Sequence, residues 1–381
     1  MVRTLAVAAL LLLAAAACGD THLHTTAAKV AIPTGKAASF DDVEIDQTTE
    51  TVYAADRPNT GVDVFDVSGA QPRFVKTIKL PAEPNGLAID RTRHRVYAGT
   101  AAGAIEVIDA ANGTLLPDIK TAAKEVDLLD YAAGPGLLFA STADAGLVLT
   151  VDPAAGKVVA TANVGKPVEQ PRYNAADGKV YVTVPELDSL AVIEPKTGTV
   201  TKTRKVASCI PVGLAINAST DTAVIACHKS VAAFDLRTGE TTDLGRRAAG
   251  GDIVQYYPSV DRFFVIAQHS AVPSVVAMFG GDPVAYVGSV TLDGGGRTAV
   301  YDQRSDSVYT TDARTGTAGL TGFHMDGSKP VPGWQGAALA AIPIGLLVLL
   351  IGPIWWFAAR HADPIHRRSP APRAAGPVQA D

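Results

Sequence analysis

Apolar residues recur in pairs along this chain. An apolar or aromatic residue, often followed by Asp or Asn, is answered eight positions later by a second one. The pairs are Ile45 and Tyr53, Ile89 and Tyr97, Tyr131 and Phe139, Tyr173 and Tyr181, Ile216 and Val224, Tyr256 and Phe264, Tyr301 and Tyr309. Their first members lie 44, 42, 42, 43, 40 and 45 residues apart, so seven units follow with a period near 43. Nine to eleven residues after the second anchor comes another strand-like core closed by an acid, as in Val64-Phe65-Asp66, Val107-Ile108-Asp109, Thr150-Val151-Asp152, Val192-Ile193-Glu194 and Ala233-Phe234-Asp235. Turn dipeptides follow at Ser68-Gly69, Asn112-Gly113, Ala155-Gly156, Thr197-Gly198 and Thr238-Gly239, where glycine supplies the positive φ of a tight turn. A last β-rich run, such as Lys76 to Leu80, completes the unit.

Four strands of about five residues with their connections account for such a repeat. Helical repeats would need 3.6-periodic runs of ten or more, and none occurs. The pattern predicts an all-β, seven-bladed β-propeller of four-stranded antiparallel blades over residues 28–325, with Val, Ile, Tyr and Phe buried between adjacent sheets. Unit seven lacks a clear fourth strand, and Lys29-Val30-Ala31-Ile32 has strand character without a partner in its own unit. The expectation is that this segment becomes the outer strand of the last blade and closes the ring.

Val180-Tyr181-Val182-Thr183, followed by Leu190 to Glu194 and Lys196-Thr197-Gly198, resembles a YVTN-family repeat. Val96-Tyr97-Ala98-Gly99 with Ile105 to Asp109, and Val52-Tyr53-Ala54-Ala55 with Val62 to Asp66, are similar. The resemblance implies a seven-bladed propeller that is secreted or sits in the cell envelope. It implies no reaction, because the motif residues are structural.

The two ends carry membrane signals. Arg3 precedes an apolar run from Leu5 to Ala17, too short to span a bilayer and suited to a signal peptide over residues 1–17. Ala14 to Ala17 followed by Cys18 resembles a lipobox, which makes Cys18 a candidate for lipidation; Ala15-x-Ala17 also fits ordinary cleavage. Residues 18–27 read as a tether. After a linker over 326–333, the segment 334–359 reads as a transmembrane helix. It has no charged residue from Ala337 to Ala359, and it is bracketed by Trp334 and by Trp355-Trp356. Arg360, Arg367, Arg368 and Arg373 make the tail over 360–381 cytoplasmic by the positive-inside rule. The propeller is then expected outside a bacterial cytoplasmic membrane.

Composition narrows the function classes. With 33 Lys+Arg against 38 Asp+Glu the net charge is −5, which argues against nucleic acid as a partner. No G-x-S-x-G, H-E-x-x-H or P-loop occurs, so no catalytic residue is assigned. Four residues before the first anchors stand Asp41, Asn85, Asp127, Glu169, Val212, Asp252 and Arg297. Two readings stand: an acidic ring at one channel mouth that favours a cationic ligand, or turn formers entering strands. Cys209 and Cys227 flank the same mouth and either pair outside the cytoplasm or stay buried as thiols. His228 and His269, with Cys227 and Asp252 nearby, lack a metal-ligand spacing, so no metal site is assigned. The expected function is a membrane-anchored, non-enzymatic binding or scaffold module, with a protein or small-molecule ligand and no cofactor. The alternative is a metal-dependent hydrolase of the lactonase type, with Glu169, Asn85 and Asp252 around a divalent cation, by analogy of fold.

Overall fold

The computed structural model describes residues 28–33, 39–143, 145–267, 274–292, 294–314 and 318–325. The signal segment, Cys18, the tether and the residues from 326 onward, with the expected transmembrane helix, lie outside the described residues. Among those described, no helix is long and apolar enough to cross a membrane. The one helical element there is a single 3-10 turn at Pro185–Leu187.

The described residues form seven four-stranded antiparallel sheets, the seven blades of a β-propeller. Blade one runs from the channel outward as Phe40–Asp46, Thr51–Asp56, Gly61–Asp66 and Arg73–Lys79. The innermost strands of blades two to seven are Pro84–Asp90, Leu129–Ala132, Pro171–Asn174, Pro211–Asn217, Gly251–Tyr257 and Ala299–Asp302. The eight-residue spacing has one register in every blade. The second anchor pairs with the residue just before the first: Glu44 with Tyr53, Ala88 with Tyr97, Asp130 with Phe139, Arg172 with Tyr181, Ala215 with Val224, Gln255 with Phe264, and Val300 with Tyr309.

The buried apolar residues fall into seven clusters, one at each blade interface. Tyr53 and Val62 of blade one, for example, pack with Leu87, Val96 and Ile108 of blade two. A blade in isolation would expose both faces, so the ring folds as one unit. The outermost strands alternate exposed residues with half-buried or buried ones, as in Lys157–Asn163. Positive φ occurs at Gly113, Gly156, Gly198 and Gly239, as the turn pattern requires, but not at Gly69. There the connection between Asp66 and Arg73 is longer, and the Asp66 carboxylate shapes it by accepting from the amide and hydroxyl of Ser68.

The ring closes as the unpaired first segment predicts. Ala28–Ala31 pairs antiparallel with Gly319–His324, from Ala28 opposite Gly322 to Ala31 opposite Gly319, and supplies the fourth strand of blade seven. Polar bonds from blade seven to blade one reinforce the seam: Arg304 Nη1 donates to Glu50 Oε2 at 2.7 Å, and Thr298 Oγ1 donates to Asp42 Oδ1 at 3.1 Å.

Candidate functional site: two mouths of one channel

Each innermost strand runs from one mouth of the channel to the other. Residues four before the first anchor therefore ring the first mouth, and residues at and after the anchor ring the second. Blades one, two, five and six begin their innermost strand with a register shift, between Phe40 and Val43, Pro84 and Leu87, Pro211 and Leu214, and Gly251 and Val254. Such an irregularity re-aims side chains at a rim. Gly86 and Gly213 lie in these segments because the next blade comes too close for a side chain: an added Cβ would stand 2.6 Å from the Asp127 carbonyl oxygen and 2.4 Å from that of Asp252.

At the first mouth the acidic ring is partly assembled and partly neutralised. Arg297 Nη1 lies 3.0 Å from Asp41 Oδ1 and 3.1 Å from Asp252 Oδ2, and Arg57 reaches Asp41 Oδ2 at 3.4 Å. The ring thus contains its own cation, held between two of its carboxylates. Burial pushes the Asp127 carboxyl up to about 8, and the negative charges of Asp41, Glu169, Glu125 and Asp252 add to the effect. Asp252 is also raised by burial, against the pull of Arg297. Asn85 is fully buried and turned toward the segment entering blade three, where its Nδ2 donates to Glu125 Oε1 at 3.0 Å and to the Val126 carbonyl at 2.9 Å. Of the three residues that the lactonase reading requires, Asp252 is thus paired with Arg297, while Asn85 is held through its Nδ2 and its buried Oδ1 has no hydrogen-bond partner among the described residues. No group of three or more His, Cys, Asp or Glu able to hold a metal occurs among the described residues.

Cys209 and Cys227 are joined in a disulfide with a Cα separation of 5.2 Å, and both are buried. The bond ties the segment entering blade five to the end of that blade's second strand, and removes Cys227 as a metal ligand. His269 lies outside the described residues; the amide of His228 donates to the Ile210 carbonyl at 3.2 Å.

Below the first mouth, side chains cross the channel. Gln170 Oε1 accepts from the amides of Leu214 at 2.7 Å and Val254 at 3.1 Å, and its Nε2 donates to the Val254 carbonyl at 3.2 Å. Blade four is thereby sewn to blades five and six. Asp42 does the same for blades seven, one and two, accepting from Thr298 Oγ1, from its neighbour Val43, and from the Leu87 amide at 2.9 Å. Burial, with the Glu44 charge beside it, still lifts the Asp42 carboxyl to about 8.

The second mouth opens into a cavity of about 420 Å³. Its floor is a polar chain spanning four blades. Arg172 Nη1 stands 3.7 Å from Asp130 Oδ1, its Nη2 donates to the Val254 carbonyl at 3.3 Å and lies 3.5 Å from Gln255 Oε1, and Gln255 Nε2 donates to Glu44 Oε1 at 2.8 Å. Asp130 Oδ2 also accepts from the Tyr173 amide at 2.7 Å. Burial raises Glu44 and Asp130, while Arg172 opposes the rise in both. Arg91, Gln47 and Gln303 stand higher on the wall, among Tyr131, Tyr173, Tyr256 and Tyr257.

The first-mouth ring does not include these residues. Their signal is nevertheless present in the chain: the position before the first anchor, between apolar neighbours, is polar in Glu44, Asp130, Arg172 and Gln255. In an innermost strand such alternation marks the channel-facing side.

Compared with known proteins, the chain matches no family model and no curated protein.

Proposed function

We propose that this chain is a membrane-anchored, extracytoplasmic β-propeller that serves as a non-enzymatic binding module in a bacterial cell envelope. The observation that carries the binding part is the second mouth, a concave, polar cavity whose floor groups are already held in place by one another, as small-molecule sites are. The Cys209–Cys227 bond supports an oxidising compartment, since such bonds are rare where thiols are kept reduced. The apolar segments at 1–17 and 334–359 and the likeness of the repeats to the YVTN family support the envelope location. At the first mouth, Arg297 pairs with Asp252, one of the three residues the hydrolase alternative needs for its cation, and this favours binding over hydrolysis.

The location is tested by expressing the full chain in a bacterium and adding protease to spheroplasts. The expected result is membrane-bound protein whose propeller epitopes are cleaved from outside while an epitope on the 360–381 tail survives. Propeller epitopes cleaved only after lysis would overturn the reading.

A further inference from the structure

The second-mouth cavity selects the chemistry of its ligand. Its charges cancel locally: Arg91 Nε lies 3.5 Å from Asp46 Oδ1, and Arg172 stands 3.7 Å from Asp130. Burial draws Glu44, and Asp42 beneath the floor, toward their neutral forms. An ion entering here would lose its hydration and meet no net countercharge. What remains are donors and acceptors side by side, the amides of Gln255 and Gln303 among them, with tyrosine rings between; the Gln47 amide is taken up by the Tyr301 carbonyl and the Gln303 N–H. The Tyr131 and Tyr256 hydroxyls are engaged outside the cavity, with Arg93 and Asp261, so these residues offer ring carbon rather than a further polar atom.

A hydroxyl both donates and accepts, and a ring of hydroxyl-bearing carbons has polar edges and C–H faces. We propose that this cavity binds a neutral polyhydroxylated molecule, a mono- or disaccharide or a cyclic polyol, gripped at its base by Glu44, Gln255 and Arg172. The volume lies within the range of about 300–1,000 Å³ typical of small-molecule sites. The floor is preorganised, because Arg172, Gln255 and Glu44 are bonded to one another before any ligand arrives, which lowers the ordering cost of binding. The proposal rests on the binding reading above and specifies its site and ligand class.

The test is calorimetric titration of the full chain in lipid nanodiscs, since alkyl-glycoside detergents would compete. The probes are glucose, N-acetylglucosamine, maltose and myo-inositol, with spermidine and inorganic phosphate as charged comparisons. At least one neutral probe is expected to bind. Its affinity should fall by about tenfold or more in Glu44→Ala, from loss of one hydrogen bond at the base of the cavity, and be abolished in Ser259→Trp. Ser259 is an exposed rim residue, so that variant blocks the entrance without touching the core, and an unchanged melting temperature verifies its fold. No neutral probe binding up to tens of millimolar, binding of only a charged probe, or binding indifferent to both variants would each overturn the proposal. These outcomes leave the protease result untouched, so failure of the ligand class and failure of the envelope location are read separately.

Discussion

The two mouths of the channel begin from similar material and are finished differently. Both carry carboxylates from several blades. At the first mouth the arginine is a ring member: Arg297 sits at the same strand position as Asp41 and Asp252 and binds both. At the second mouth the arginine lies on the floor, where Arg172 spans from Asp130 to the blade-six backbone and leaves an open cavity above it. The lesson is that a ring of carboxylates read along a repeat does not establish a cation site. One residue of the opposite sign in the same register, here in blade seven, can neutralise part of the ring from within.

The strongest perturbation of this contrast is Arg172→Met. It leaves the buried carboxyls of Asp130 and Glu44 without their cation, and removing one partner of a buried pair costs about 3 kcal/mol or more. A large drop in denaturation midpoint is expected at pH 7.5. The drop should shrink on acidification, because the stranded carboxyls then take up protons. A loss equal at both pH values would mean that Arg172 acts by packing alone. Arg297→Ala should cost less, about 1 kcal/mol, because its side chain is 39% exposed and solvent replaces part of the interaction. The same variant sharpens the comparison in a second way. With the internal cation gone, Asp41 and Asp252 become available, and Ca²⁺ titration should show a new weak site that is absent from the parent chain; Ca²⁺ binding to the parent protein would restore the hydrolase reading.

An effect of the opposite sign, a stabilisation, is expected from Asp127→Asn. The folded-state pKa of Asp127 is about 8, above the ordinary carboxyl value of 3.8. The native state therefore holds a proton that the unfolded chain releases, and stability is lost as pH rises from about 4 through about 8. The asparagine variant should match the parent near pH 3 and exceed it increasingly up to pH 8, by at most about 1.4 kcal/mol per pH unit, measured by chemical denaturation across that range. A variant less stable than the parent at pH 8 would contradict the assigned cost of ionising Asp127.

The fold was legible because a propeller repeats a local pattern. The unbroken apolar runs around Tyr53, Tyr97 and Tyr181 report second strands buried on both faces between neighbouring blades, and that depends only on neighbours in sequence. Ring closure was legible for the complementary reason: Lys29 to Ile32 had strand character and no partner, while unit seven lacked a strand. The site was less so. The Arg297–Asp41 pair joins residues 256 positions apart, and nothing local in either segment reports the other. The polar chain of the second mouth was missed because its members share no residue type. Glu44, Asp130, Arg172 and Gln255 become one network only when seven strands converge on an axis. At the same strand position, Ala88 and Ala215 occupy blades two and five and line the cavity.

The central claim is that ligand enters the second mouth while the first is partly neutralised from within. Hydrogen exchange of the full chain in nanodiscs, with and without the tightest-binding neutral probe, tests this most directly. The account predicts slowed exchange in peptides covering residues 44–50, 88–94 and 255–260, with those covering 39–42 and 125–128 unchanged. Protection concentrated in the latter peptides would contradict it.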